Sequence, residues 1–229
     1  MKKIISILMF LFSILLPSLA QIRPTVSILG DSYSTFEGFI PKENEIWYFN
    51  KLDTQKTDVH EVEQTWWWQV IKNAGYKLGV NNSWSGATIC NTGYNDDDYT
   101  PRSFVTRSAQ LGSLGCPDII LVCGATNDNW ANVKMGDYQY DNWTCADLYY
   151  FRPALAKMFV NLLQHYPNTK IYFILNTELK EDINESVRTI CHHYNIPLIT
   201  LHDIDKQNGH PTVKGMKAIA TQVLERIGK

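Results

Sequence analysis

The chain of 229 residues has no apolar run of bilayer length. Its most apolar stretch, residues 4–16, is shorter than the about 20 residues a transmembrane helix needs. It has no excess of positive charge. Lys and Arg number 21 against 23 Asp and Glu, a formal net charge of −2, so no electrostatic case exists for nucleic acid or an anionic membrane surface. No two cysteines stand in close C-x-x-C spacing, which leaves zinc and thiol-redox readings without support. No internal repeat or low-complexity linker interrupts the chain. With 45% hydrophobic and 19% charged residues the composition is that of a globular protein, and the length suits one domain with a full core.

The N-terminus reads as an export signal. Lys2 and Lys3 precede the apolar stretch, and Ser18-Leu19-Ala20 offers small residues at the positions a signal peptidase inspects. Residues 1–20 are therefore expected to be removed, leaving 21–229 as a single domain exported to a periplasmic or extracellular compartment, with no stable membrane insertion. No cysteine follows the apolar stretch, so no lipid anchor is expected. Five cysteines remain, at 90, 116, 123, 145 and 191. An odd number leaves at least one free thiol; Cys145 is a candidate partner for Cys90 or for Cys116, and Cys123 falls within an apolar strand.

Strand-like and helix-like segments alternate, which predicts an α/β fold with a parallel sheet. Strands are expected at 25–29, 77–81, 118–123, 170–175 and 197–201. Helices are expected at 64–74, 147–165, 179–194 and 212–227. Two stretches, 39–61 and 92–102, fit no regular element. Segments of that length in a compact domain are often functional loops, and both follow a segment that carries candidate chemistry.

Four such segments occur. Gly30-Asp31-Ser32-Tyr33 closes the first apolar run. Gly86 ends Asn82-Ser83-Trp84-Ser85-Gly86. Gly124-Ala125-Thr126-Asn127-Asp128 follows the most apolar strand, and His210-Pro211 precedes the last helix. Ester hydrolysis needs a nucleophile, a base for its proton, and donors for the tetrahedral oxyanion. Ser32 is the candidate nucleophile and His210 the base, since a neutral imidazole accepts and returns a proton near pH 7. The backbone N–H groups of Ser32 and Gly86 and the Asn127 amide are the candidate oxyanion donors. Each has a structural alternative. Ser34-Thr35-Phe36-Glu37 matches a helix capping box, Gly86 suits any tight turn, Asn127-Asp128 suits a helix cap, and His210-Pro211 suits a helix lead-in. Their order and their places at strand ends favour catalysis.

On these blocks the chain resembles the SGNH hydrolase superfamily, also called the GDSL esterase/lipase family. Tyr33 stands where the name-giving leucine often does, and the G-x-N-D block carries one extra residue. The resemblance covers essentially the whole mature chain. It implies a three-layer α/β/α sandwich of flavodoxin-like type with a five-stranded parallel sheet, and esterase activity without metal or organic cofactor. One position departs. The family's aspartate three residues before the histidine is here Gln207, with Asp205 and Asp203 further upstream. Asp205 through a longer loop, the Gln207 amide oxygen, or a backbone carbonyl are the three candidate partners of the imidazole, and Asp205 is slightly preferred.

Aromatic residues make up 12% of the chain, with seven tryptophans. Trp47, Tyr48 and Phe49 lie in the first long loop, Trp84 precedes Gly86, and Trp130 follows Asn127. Of Trp66-Trp67-Trp68, at least one is expected in the core. Export and aromatic loops together point to an acetyl- or small-acyl carbohydrate esterase acting on a glycan or another acylated small molecule. A lipase- or thioesterase-like enzyme is the alternative within the family. A glycan-binding module with catalysis lost at position 207 is the alternative outside enzymes.

Overall fold

The computed structural model describes residues 23–228, so the expected signal at 1–20 lies outside the described residues. Five parallel strands, β1 (Thr25–Gly30), β2 (Lys77–Ser83), β3 (Ile119–Gly124), β4 (Lys170–Leu175) and β5 (Leu198–Thr200), form one sheet in the order β2-β1-β3-β4-β5. Six α-helices are described: α1 (Trp66–Asn73), α2 (Phe104–Arg107), α3 (Thr126–Ala131), α4 (Phe151–His165), α5 (Glu181–His193) and α6 (Val213–Ile227).

The continuous apolar run of β3 explains the layering. Ile120 and Val122 join one buried cluster with Phe104 of α2, Leu155 and Phe159 of α4, and Val187 of α5. Ile119, Leu121 and Cys123 join another with Trp67 and Val70 of α1 and Ile219 and Val223 of α6. Successive residues of a strand face opposite sides, and a strand covered on both sides must be apolar at every position. The result is the expected α/β/α sandwich.

Local physics moves some boundaries. The helix expected at 147–165 begins as a 3₁₀ turn at Asp147–Tyr149, breaks at extended Tyr150, and becomes α-helical only at Phe151. Pro153 has no N–H to give and is tolerated only in the first helical turn, which sets that start. The capping-box match at Ser34 starts no helix: Ser32–Ser34 is a single 3₁₀ turn whose cap is Asp31. Trp66 and Trp67 are fully buried, whereas Trp68 is half-buried beneath the Lys72 ammonium. All five cysteines are free thiols, so neither the Cys90–Cys145 nor the Cys116–Cys145 bridge forms. Cys90 is buried in the core while Cys145 and Cys116 are exposed.

The short helices α2 and α3 are not among the elements expected from the sequence, and neither is a hairpin before the last helix. β6 (Lys206–Gln207) and β7 (His210–Pro211) form a two-residue antiparallel hairpin. Its turn residues Asn208 and Gly209 both have positive φ, 51° and 75°, as the Asn-Gly type I′ turn requires. Parallel strands bring all five C-terminal ends to one edge. The chain leaves β1 for β2 on one side and continues to β3 on the other, so a crevice opens at the C-terminal end of β1.

Candidate active site

Ser32 sits in that crevice. β1 ends at Gly30, where any Cβ would lie 2.5 Å from Ser83 Oγ and 2.6 Å from Ser34; only glycine lets the chain turn there. The Asp31 carboxylate then accepts the Tyr33 amide (3.0 Å) and caps the turn that carries Ser32. Burial pushes the Asp31 carboxyl up to about 7, against the pull of the Tyr33 amide. Beneath the turn lies fully buried Arg107. Its guanidinium donates to the carbonyls of Gly30 (3.2 Å), Asn82 and Arg102, tying the ends of β1 and β2 together. Burial lowers its pKa to about 9, so it stays charged at neutral pH.

His210 Nε2 lies 2.9 Å from Ser32 Oγ. Its Nδ1 lies 2.9 Å from the carbonyl oxygen of Asn208. A carbonyl has no proton to offer, so Nδ1 carries the hydrogen and Nε2 presents a lone pair to the serine hydroxyl. Burial holds the imidazole down at about 4; the Asn208 carbonyl acts in the opposite direction, and the ammonium groups of Lys56 and Lys206 add to the lowering. At neutral pH the ring is uncharged and able to accept the Ser32 proton.

Asp205 does not reach the imidazole. In the hairpin register Gln207 opposes His210, so Asp205 falls opposite Thr212. There its backbone oxygen accepts the Thr212 amide (3.1 Å) and its carboxylate accepts the Thr212 hydroxyl. Gln207 does not reach it either; its amide donates to the Thr54 carbonyl at 2.9 Å. The backbone carbonyl is the partner the geometry provides.

The other blocks converge from neighbouring strands. Gly30 is in register with Ser83 of β2 and Cys123 of β3, so the segments carrying Gly86 and Asn127 leave the same edge as Ser32. Gly86 has φ 80° with open space where a Cβ would stand. Ala125, the extra residue of the third block, also takes a left-handed φ of 75°, a conformation that costs an L-residue about 1–2 kcal/mol. It aims the start of α3. Asn127 Nδ2 donates to the Ala87 carbonyl (3.0 Å), which leaves its second N–H for an oxyanion. Asp128 accepts the Ile89 and Cys90 amides and holds the Gly86 loop from behind.

Sequence reasoning missed Tyr94. Its hydroxyl donates to Asn127 Oδ1 at 2.8 Å, which fixes which way the amide faces. Tyr94 belongs to the 92–102 loop, closed by a Thr92–Asp98 bridge and left-handed at Asn95 and Asp96; an isolated tyrosine in an irregular stretch carries no signal of such a contact. Other serine and histidine side chains are engaged elsewhere. Ser34 Oγ accepts from Trp66 Nε1 (3.3 Å), His165 Nδ1 pairs with the Asn161 carbonyl (2.8 Å), and His193 stacks on Tyr140. Among the described residues no group of His, Cys, Asp and Glu is arranged to hold a metal ion, and no helix is long and apolar enough to cross a membrane.

Residues 24–227 match the family model of the GDSL-like lipase/acylhydrolases. No curated protein matches the chain. Among solved structures, a Bacteroides ovatus protein described as a GDSL-like lipase is 57% identical, covering 90% of this chain and 98% of its own, with a TM-score of 0.86. A Bacteroides uniformis protein of the same description is 52% identical, covering 91% and 97%, also at 0.86. A family two carbohydrate esterase from Clostridium thermocellum, solved with cellohexaose, shares the fold at 11% identity and a TM-score of 0.57, over 89% of this chain and 63% of its own.

Proposed function

The chain belongs to the GDSL-like lipase/acylhydrolase family and is an SGNH hydrolase acting on esters; from that premise we propose that it works through a Ser32–His210 dyad oriented by the Asn208 carbonyl. The observation that carries this reading is the 2.9 Å contact of Ser32 Oγ with a neutral imidazole whose other nitrogen is committed to a carbonyl. Ser32 attacks the ester carbonyl while Nε2 takes its proton. The tetrahedral oxyanion is held by the backbone N–H groups of Ser32 and Gly86 and by Asn127 Nδ2. His210 returns the proton to the leaving alcohol, and water repeats the sequence on the acyl-enzyme.

The substrate is proposed to be a small-acyl, acetyl-type ester on a carbohydrate, met after export of the chain by its N-terminal signal. Trp130 supports this. It is 43% exposed and stands edge-on to the His210 ring with centroids 5.7 Å apart, an indole free to pack on a sugar beside the reacting atoms. An acyl-chain substrate is the second reading, favoured by the lipase description of the two Bacteroides relatives.

The test is hydrolysis of p-nitrophenyl acetate by the mature protein, Ser32→Ala and His210→Ala, followed by acetylated oligosaccharides against long-chain esters. Both variants are expected to lose at least about 10³-fold. Efficient cleavage of long-chain esters with none of acetylated sugars would replace the carbohydrate reading with the acyl-chain one. A wild type inert to every ester, with Ser32 unlabelled by a serine-directed reagent, would make it a binding module.

A further inference from the structure

Deepening the dyad reading, on which it rests, we propose that Trp47 is a positioning residue for His210, and that its indole face stabilises the imidazolium formed during catalysis in place of a carboxylate. The two rings stack with centroids 3.5 Å apart and planes 8° from parallel.

The need arises from the neutral partner at Nδ1. A carbonyl fixes the tautomer of the ring but offers little to the charge that appears when Nε2 takes the serine proton. The charged groups acting on this imidazole are Lys56 and Lys206, both cations, which oppose that charge. An aromatic face is negative at its centre and attracts a cation lying over it. Trp47 supplies such a face in parallel contact with the ring. Lys56 Nζ stands 4.4 Å from the same indole, so the ammonium and the nascent imidazolium compete for one π system.

Trp47 is also tied to both reacting groups. Its amide donates to Thr35 Oγ1 (2.9 Å), and that hydroxyl donates to the Ser32 carbonyl (3.1 Å). The loop that carries it grips the base hairpin. Asn208 Nδ2 donates to the Gln55 carbonyl (2.9 Å), Gln207 Nε2 to that of Thr54, and the Tyr48 hydroxyl to that of Pro211 (2.9 Å). Tyr33 completes the grip from the nucleophile turn, donating to the Gly209 carbonyl at 2.5 Å.

The test compares Trp47→Phe and Trp47→Leu in steady-state hydrolysis of p-nitrophenyl acetate, with His210→Ala alongside. Both substitutions keep an apolar group against the imidazole, but only phenylalanine keeps a π face. Trp47→Leu is expected to lose about 3- to 30-fold in kcat, the range from an exposed to a desolvated cation–π contact, with KM within about twofold; Trp47→Phe recovers most of that loss. Equal kcat in the two variants, at any level, overturns the proposal. Should the leucine variant fail to fold, site-specific fluorotryptophans at position 47 keep the shape and drain the π face stepwise. A stepwise fall in kcat supports the role, and an unchanged kcat overturns it. If His210→Ala keeps the wild-type rate, the dyad itself is refuted, a result distinct from any of these.

Discussion

The two halves of the proposed Ser32–His210 dyad are built differently. Ser32 hangs from an interior strand of a sheet, between two neighbours in register, over a buried guanidinium and a buried carboxyl. His210 rides on a two-residue hairpin at the edge of the fold, held by side chains of a loop without regular structure. Strand geometry fixes the nucleophile through backbone hydrogen bonds that exist whatever the side chains. Beyond the short ladder of its own hairpin, side-chain contacts fix the base. The nucleophile half is therefore coupled to global stability, and the base half to local order; substitutions on the two sides should fail in different ways.

The largest effect is expected on the strand side. Arg107→Met leaves the Gly30, Asn82 and Arg102 carbonyls short of a buried donor. It also removes the positive charge that acts on Asp31. Removing one member of a buried charged network typically destabilises by about 3–5 kcal/mol, or roughly 10 °C in Tm for a domain of this size. A thermal melt measures it. A Tm within about 2 °C of wild type would mean that the guanidinium contributes no more than a surface residue would, and the contrast between the halves would weaken.

A smaller and more selective effect is expected at the oxyanion side, which borrows from both. Asn127 starts a helix after β3, but its amide is aimed by Tyr94 from a loop. Tyr94→Phe removes the hydroxyl that holds Asn127 Oδ1. Loss of a complete oxyanion donor costs about 10²–10³ in kcat; a donor free to turn should lose about tenfold, with KM and Tm nearly unchanged. A KM effect without a kcat effect would make Tyr94 a substrate contact instead.

The same division separates what the sequence reveals from what it hides. The five strands of the main sheet and the helices α1, α4, α5 and α6 were legible because burial leaves long apolar or periodic runs, as in 119–124 and 181–193, whereas the short α2 and α3 leave none. Ser32, Gly86 and Asn127 were legible because each follows such a run, and turning a chain at a sheet edge demands particular residues. The third partner of the dyad was not. Choosing between Asp205, Gln207 and a carbonyl depends on the register of a hairpin two residues long, below the length at which periodicity says anything. Its one local sign, Asn208-Gly209, is a hairpin signal, and its reading would have placed Gln207 opposite His210 and Asp205 out of reach. Trp47 and Tyr94 were hidden for a related reason. Irregular loops place side chains by contacts distant in sequence, so the aromatic content of 39–61 marks the loop as interesting without saying which ring meets the histidine.

The smallest expected effect is the sharpest test of the base half. If Asp205 oriented the imidazole, its neutral isostere would invert the hydrogen-bonding of the ring, a change that costs about 10⁴-fold in kcat where a carboxylate holds that place. Here the carboxylate is engaged by Thr212 at the foot of α6, and Asp205→Asn is expected to keep kcat within about twofold. Its pH profile should overlie that of wild type. The sign of that profile follows from the imidazole itself. Burial holds its pKa near 4, so the base is unprotonated above that value, and kcat/KM falls only as pH drops through it, when Nε2 can no longer accept the serine proton. An acid limb near 6.5, the ordinary imidazole value, would mean that desolvation does not dominate the titration of the ring. A limb that moved in Asp205→Asn alone would show the carboxylate reaching the histidine in the working enzyme, and the hairpin would then have to open by a register step for it to do so.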